Sequence, residues 1–259
     1  MSSTQTRPLA VVTGASSGIG LELAKQFAAN GYDLLLTADE PLDAAVADIG
    51  TSTLVQTVQA DLRNPQGVEQ LAAAIVGTAR PVEALALNAG IAKGGAFVET
   101  PWEGGDRDVI AVDVLSTVHL AKRIVPPMVQ RGSGRILFTS SIAATMPGPF
   151  YATYAASKSF VQSFAEALRY ELKDTGVTVT ALMPGPTDTK FFERADMEGT
   201  TVDESPKDDP ASVAKDGFEA LMAGKDHVVA GSFRNTVQAT TAKVLPDTTK
   251  AAMHAKLST

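Results

Sequence analysis

Leu9-Ala10-Val11-Val12-Thr13-Gly14-Ala15-Ser16-Ser17-Gly18-Ile19-Gly20 is the stretch on which the fold turns. Four apolar residues run into Thr13-Gly14 as a buried strand would, and Ile19 to Ala29 then carries apolar residues at helical spacing up to Asn30-Gly31. The segment reads as strand, glycine turn, helix. Gly14, Gly18 and Gly20 lack Cβ atoms, so the backbone around Ser16, Ser17 and Ile19 can turn tightly and approach a pyrophosphate. The anion's charge would rest on free N–H groups at the helix N-terminus.

The same rhythm repeats downstream. Leu34-Leu35-Leu36 leads to a helix after Pro41, Leu54 to Val58 to one after Pro65, and Ala84 to Leu87 to a long one around Val109 to Val125. Ile136-Leu137-Phe138 precedes a helix from Tyr151 to Lys173, and Val177 to Met183 and Val228-Val229-Ala230 read as the last strands. About seven short strands, most of them separated by helices, predict an α/β doubly wound, Rossmann-like, mostly parallel sheet with helices on both faces. No linker interrupts the chain, so residues 1–259 read as one domain. Two stretches break the pattern. Glu193 to Pro210 is polar and rich in Gly, Thr and Pro, which makes 190–212 a candidate substrate lid at the sheet end where open α/β folds bind ligands. Residues 234–259 read as a weakly amphipathic tail, expected to pack on the surface or against another subunit.

Composition narrows the chemistry. With 44% hydrophobic residues the chain can bury a core without disulfides or metals, and it has no Cys. His119, His227 and His254 lie too far apart in sequence for a local metal-ligand motif, so no metal is expected. A net charge of −7 works against nucleic acid or an anionic membrane as partner. Met1 to Pro8 is short and polar, and no apolar run approaches the roughly 18 residues of a membrane span, so the expected address is the cytoplasm.

Tyr154-Ala155-Ala156-Ser157-Lys158 supplies candidate catalytic groups, because an i,i+4 spacing at a helix start puts phenol and ammonium on one face. A free phenol titrates near pH 10, roughly three units too high for efficient proton exchange at neutrality, and a fixed cation lowers that value. Lys158 is placed to supply the charge.

Thr13-Gly14-x-x-x-Gly18-x-Gly20 followed by Tyr154-x-x-x-Lys158 resembles the single-domain short-chain dehydrogenase/reductase family, and the resemblance spans residues 9 to 231. It implies hydride transfer between a nicotinamide cofactor and an alcohol or carbonyl. By the same resemblance, Asp61 and Leu62 hold the adenine, Asn88-Ala89-Gly90 lines the adenosine ribose and braces the sheet, and Lys158 binds the nicotinamide ribose. Pro184-Gly185-Pro186-Thr187-Asp188-Thr189 matches the segment that grips the carboxamide through Thr187 and Thr189. Ser141 falls where the family keeps the serine that orients the substrate oxygen, with Ser140 as the neighbouring alternative. Ala143, Ala144, Met146, Phe150, Phe191 and Phe192 fall where it lines the substrate pocket, implying an apolar ketone or secondary alcohol. The family also implies a homodimer or homotetramer. One position departs from the pattern: Val112-Asp113-Val114 carries an acid where the family commonly has Asn beside its catalytic lysine. Asp113 keeps the main-chain carbonyl of the proton relay and adds a charge that could pair with Lys158.

Thr37-Ala38-Asp39-Glu40-Pro41 stands where the family reads the adenosine ribose, and it contains acids and no base. Asp39 can accept hydrogen bonds from a 2′-hydroxyl. Against a 2′-phosphate it would face a like charge, at a cost of up to ~4 kcal/mol at about 4 Å and an effective dielectric near 20. NAD(H) is therefore expected over NADP(H). A reading from another class is a nucleotide-binding regulator that has lost catalysis, which the departure at Asp113 would allow. A sugar epimerase or dehydratase would normally need a larger C-terminal substrate portion.

Overall fold

Seven parallel strands in the order β3-β2-β1-β4-β5-β6-β7 form one sheet, as the alternating pattern required. The structure, a computed structural model, describes residues 7–242 and 246–255. The outer positions of the expected N-terminal segment and tail, 1–6, 243–245 and 256–259, lie outside the described residues. The strands are β1 Leu9–Thr13, β2 Asp33–Ala38, β3 Val55–Gln59, β4 Val82–Leu87, β5 Gly134–Thr139, β6 Val177–Pro184 and β7 His227–Ala230.

Alternate residues of the inner strands feed two separate cores, which is why those strands are rich in apolar residues, while the edge strand β3 is half polar. Leu9 and Val11 of β1 face one way, with Leu71 and Ile75 of α3 (Pro65–Gly77), Leu120, Ile124 and Met128 of α5 (Thr117–Arg131) and Val161 of α6 (Ala152–Glu171). Ala10 and Val12 face the other way, onto Leu23 and Phe27 of α1 (Gly18–Ala29), Ala45 of α2 (Asp43–Ile49) and Phe218 of α8 (Pro210–Met222). Phe27 and Phe218 meet edge to face, their centroids 5.3 Å apart. Burying each such side chain contributes about 1.5–3 kcal/mol, so the two faces lock the strand register.

The long helix differs from its expected span. It begins at α4 (Arg107–Val109), passes through a π-helical turn at Ile110–Ser116, and runs on through Pro126 and Pro127 to Arg131. The expected span ended near Val125; the helix continues through both prolines because Leu120, Ile124 and Met128 pack one face into the core, and that burial outweighs the lost backbone bonds. The π turn holds Asp113, and such wider turns often mark functional sites.

Strand order reverses between β1 and its neighbours β2 and β4, and this is the switch point where open α/β sheets bind ligands, beyond the carboxyl ends of the strands. Above that edge the lid stretch carries the short helix α7 (Phe191–Arg194), with Phe192 buried. The tail forms α9 (Phe233–Ala242) and α10 (Asp247–Ala255). It does not simply coat the surface: Asn235 and His254 are buried, and α9 packs on the turn Ile142–Thr145 beside the site. Among the described residues no helix is long and apolar enough to cross a membrane.

Candidate active site

A ladder of threonines and an asparagine joins the strand ends. Thr13, last residue of β1, accepts at Oγ1 from the backbone N–H groups of Asn88 (3.0 Å) and Ala89 (2.9 Å). Asn88 returns a bond from Nδ2 to the Thr13 carbonyl (3.1 Å), and Thr139, last residue of β5, donates to Asn88 Oδ1 (3.1 Å). The Thr139 carbonyl accepts from Lys158 Nζ at 3.4 Å. The glycine turn and the lysine are thus held in one frame of short polar bonds.

Within the turn, Gly20 is fixed by space. A Cβ there would lie 2.0 Å from the Gly14 carbonyl oxygen, closer than any side chain can approach. At Gly90 a Cβ would sit 2.6 Å from Lys158 Nζ, so a larger residue there would displace the lysine head. Ser17, at the start of α1, makes no capping bond through its side chain, leaving the turn open for an anion at the positive end of the helix. The residues present therefore fit a dinucleotide.

Every residue expected to hold that cofactor lies on the wall of one cleft of about 340 Å³: Gly14, Ser16, Ser17, Gly18, Ile19 and Gly20; Asp39, Asp61 and Leu62; Asn88, Ala89 and Gly90; Tyr154 and Lys158; and Pro184, Gly185, Thr187 and Thr189. Ser141 lines it too. At the adenosine end the folded chain brings two arginines to the Thr37–Pro41 segment, which contains no base. Arg63 pairs with Asp61 (2.8 Å) and Asp39 (3.4 Å), holding the Asp61 carboxyl below its usual range against the effect of partial burial. Arg194 of α7 reaches Glu40 at 2.8 Å.

At the other end, Ser141 opens a 3₁₀ turn over Ile142–Thr145, accepting at Oγ from the Ala143 N–H (3.1 Å) and donating weakly to the Pro184 carbonyl (3.5 Å). Its hydroxyl is hydrogen-bonded with the Tyr154 phenol. Ser140 also borders the cleft, but its hydroxyl donates to the Lys158 carbonyl (3.1 Å), which favours Ser141 over it. Lys158 Nζ stands 5.6 Å from the Tyr154 ring centre.

Asp113 lies behind the lysine, 1% exposed, with Oδ2 3.3 Å from Lys158 Nζ and 2.8 Å from the Ser157 hydroxyl that donates to it. Its Oδ1 accepts from the Ile91 N–H at 2.9 Å. Burial pushes the carboxyl's pKa up, opposed by Lys158 and these two donors. The pairing alters the expected electrostatics of the phenol. In the protein alone Tyr154 is pushed above its ordinary range, first by burial and then by the Asp113 charge, with the Ser141 bond acting in the opposite sense. The Asp113 carboxylate on the far side of Lys158 offsets the ammonium that the spacing places beside the phenol.

Of the expected substrate wall, Ala143, Phe191 and Phe192 line the cleft, while Ala144, Met146 and Phe150 lie outside it. Phe150 takes a left-handed backbone (φ 66°) that turns its ring outward, leaving it 38% exposed. Tyr151, Met197, Val202 and His254 stand on the wall with the three that remain. Sequence reasoning missed Thr13 and Thr139, whose one signal is a threonine closing an apolar strand, and it missed Ser157, Arg63, Arg194, Tyr151 and His254, which act through distant pairings.

Residues 8–198 match the family model described as short chain dehydrogenase. The chain is 34% identical over 243 residues to Dehydrogenase/reductase SDR family member 7B of Rattus norvegicus, covering 88% of this chain and 74% of that protein. It is 31% identical over 220 residues to Oxidoreductase UcpA of Salmonella typhimurium, covering 83% and 81%. Among solved structures it is similar to a short-chain dehydrogenase from Sphingobium yanoikuyae in complex with NADPH, at 29% identity and a TM-score of 0.79, covering 86% of this chain and 87% of that one.

Proposed function

This chain belongs to the short-chain dehydrogenase family of oxidoreductases, and from that premise we propose that it interconverts an apolar ketone and its secondary alcohol with NAD(H) in preference to NADP(H). The observation that carries the reading is the convergence of Ser141, Tyr154 and Lys158 at one end of a cleft whose other end is the glycine turn. Gly14 to Gly20 would hold the pyrophosphate, Asp61 and Leu62 the adenine, Asn88 to Gly90 and Lys158 the riboses, and Thr187 and Thr189 the carboxamide. The bound nicotinamide supplies or accepts the hydride.

Ser141 holds the substrate oxygen by a hydrogen bond and aligns it with Tyr154. Tyr154 gives that oxygen its proton during reduction and takes it back during oxidation, a general acid–base role worth about 10²–10⁴-fold. Lys158, tied to Thr139 and Asp113, offers the proton an onward route towards water. The apolar cluster of Ala143, Phe192 and Met197 with Phe191 and Val202 favours a substrate without a carboxylate.

The NAD(H) preference is supported at Asp39 and Glu40. Arg63 and Arg194 are already engaged by these acids, so a 2′-phosphate would have to compete with them for either guanidinium. A cytoplasmic homodimer or homotetramer completes the reading, by analogy with the family.

The test is a panel of ketones and secondary alcohols with each cofactor, followed by nicotinamide absorbance. Turnover of an apolar ketone with a kcat/KM at least tenfold higher for NADH than for NADPH is expected, and equal values would remove the cofactor preference. Tyr154→Phe should lower kcat/KM by at least 100-fold with the NADH Kd unchanged. Cofactor binding without turnover of any substrate would instead favour the regulator that the Asp113–Lys158 pairing allows.

A further inference from the structure

Tyr151 and His254 are buried titratable groups on the cleft wall that the reaction does not use, 6% and 4% exposed. They stand 103 positions apart in the chain, yet the Tyr151 hydroxyl and His254 Nε2 are hydrogen-bonded and the rings meet edge to face at 5.1 Å. His254 Nδ1 bonds to the Pro147 carbonyl at 2.8 Å. A carbonyl can only accept, so Nδ1 carries the proton and Nε2 is the acceptor for the Tyr151 O–H. Burial also lowers the imidazole's pKa, which favours this neutral form.

The contact clamps two pieces of chain around the substrate end. One is α10, which carries His254; the other is the loop Pro147–Tyr151, itself held in a costly shape. Phe150 sits at φ 66°, unusual for an aromatic residue, and its carbonyl accepts from the Gly95 N–H at 2.7 Å. Gly148 lies so close to the Tyr151 ring that a Cβ there would be 2.8 Å from it. Tyr151 is thus fixed from below by Gly148 and from the side by His254, and its ring centre stands 6.2 Å from that of Tyr154.

We propose that Tyr151 and His254 form a positioning and specificity-determining pair: the C-terminal helix, bonded through His254, holds the Tyr151 ring as a rigid wall beside Tyr154 and limits one substituent of the substrate carbonyl to a compact group. This rests on the oxidoreductase reading given above and deepens it. The substrate class that fits is a ketone, or its alcohol, with one small substituent towards Tyr151 and a larger apolar one towards Phe191, Phe192, Met197 and Val202. Neither residue exchanges a proton with the substrate. Their effect is on the ground-state fit, and so on KM and on the ratio between substrates.

The test compares acetophenone with isobutyrophenone in the wild type, His254→Ala, Tyr151→Phe, His254→Gln and the double variant His254→Ala/Tyr151→Phe. His254→Ala should raise the bulky-to-small ratio of kcat/KM by roughly tenfold or more, the size of effect that a methylene or two makes in an apolar pocket, chiefly through KM. Tyr151→Phe keeps the ring and removes the bond, so a smaller shift in the same direction is expected. His254→Gln, whose side-chain amide can reach as far as Nε2 and accept from Tyr151, should restore most of the wild-type ratio. The double variant should shift no further than His254→Ala, because both changes break one contact. Amide exchange across residues 247–255 should speed up at least tenfold in His254→Ala. An unchanged ratio in a folded His254→Ala enzyme that still reduces acetophenone overturns this inference and leaves the oxidoreductase reading standing. Absence of turnover in the wild type across the whole panel of ketones and alcohols overturns both.

Discussion

The two ends of the cleft are built in different ways. At the cofactor end, the groups that matter sit at the carboxyl ends of β1, β4 and β5, each within a strand or no more than three residues beyond it: Thr13-Gly14, Asn88-Ala89-Gly90, Thr139. At the substrate end, the wall is gathered from Ala92, Ala143, Tyr151, Phe192 and Met197, with His254 added from the last helix. The first end inherits its geometry from the sheet, where neighbouring strands fix positions through a continuous hydrogen-bond ladder. The second depends on a few long-range contacts between loops. A rigid end that holds the common reactant and an adjustable end that holds the variable one is the division of labour expected of a scaffold carrying many substrates.

Breaking the rigid end should give the largest effect. Gly20→Ala places a methyl 2.0 Å from the Gly14 carbonyl oxygen, so the turn must open. We expect the NADH Kd to rise at least 100-fold by fluorescence titration, with far-UV circular dichroism unchanged, because the turn lies beyond the carboxyl end of β1 rather than within the sheet. An unaltered Kd would show that the turn is not the pyrophosphate cradle, and the contrast between the two ends would fail with it.

The same contrast explains what could be read from the sequence. Alternation of apolar runs with helical spacing specifies a parallel sheet with two covered faces, and the glycine turn marks the end of its first strand. Both signals are local, which is why the parallel, doubly wound architecture and the strand–turn–helix at Gly14 to Gly20 follow from them, whereas the order of strands in the sheet does not. The helix expected to end near Val125 runs on through Pro126 and Pro127 to Arg131, because the core packing of Leu120, Ile124 and Met128 is a long-range effect that no local signal shows. The segment Thr37 to Pro41 contains no base, yet Arg63 and Arg194 arrive there from 24 and 154 residues away. His254 reads as one of three scattered histidines, and nothing beside it in sequence indicates Tyr151. Pairings of that kind exist only once the chain has folded.

Asp113 lies between the two ends, and its charge offers a sharper probe of how they communicate. Burial comes first and the Asp113 carboxylate second in holding the Tyr154 phenol above its ordinary range. Asp113→Asn removes the negative charge and leaves the Lys158 ammonium unmatched, and both changes favour tyrosinate. Alcohol oxidation requires the phenolate to accept a proton, so its rate rises with pH through the phenol's titration. The rising limb of kcat/KM against pH should therefore move to lower pH in Asp113→Asn, by about one unit, equivalent to about 1.4 kcal/mol. A shift to higher pH, or none, would mean that the carboxylate is already protonated or that the route from Lys158 does not sense it.

The smallest expected effect separates adjacent serines. Ser141 faces the cleft and Ser140 faces the helix that carries Tyr154 and Lys158, donating to the Lys158 carbonyl from a site 2% exposed. Ser140→Ala removes that donor, while the carbonyl keeps its place in the backbone of α6. The loss should be about 1 kcal/mol of stability, the net value of one internal hydrogen bond, and a fall in Tm of roughly 2–4 °C for a domain of this size. Because the helix is also anchored by Val161 and Ala165 in the core, Tyr154 should stay in register and kcat/KM should hold within about threefold. If Ser140→Ala instead cost as much activity as a change at Ser141, the position of Tyr154 would depend on a single bond to β5, and the substrate end would be tied to the sheet as tightly as the cofactor end.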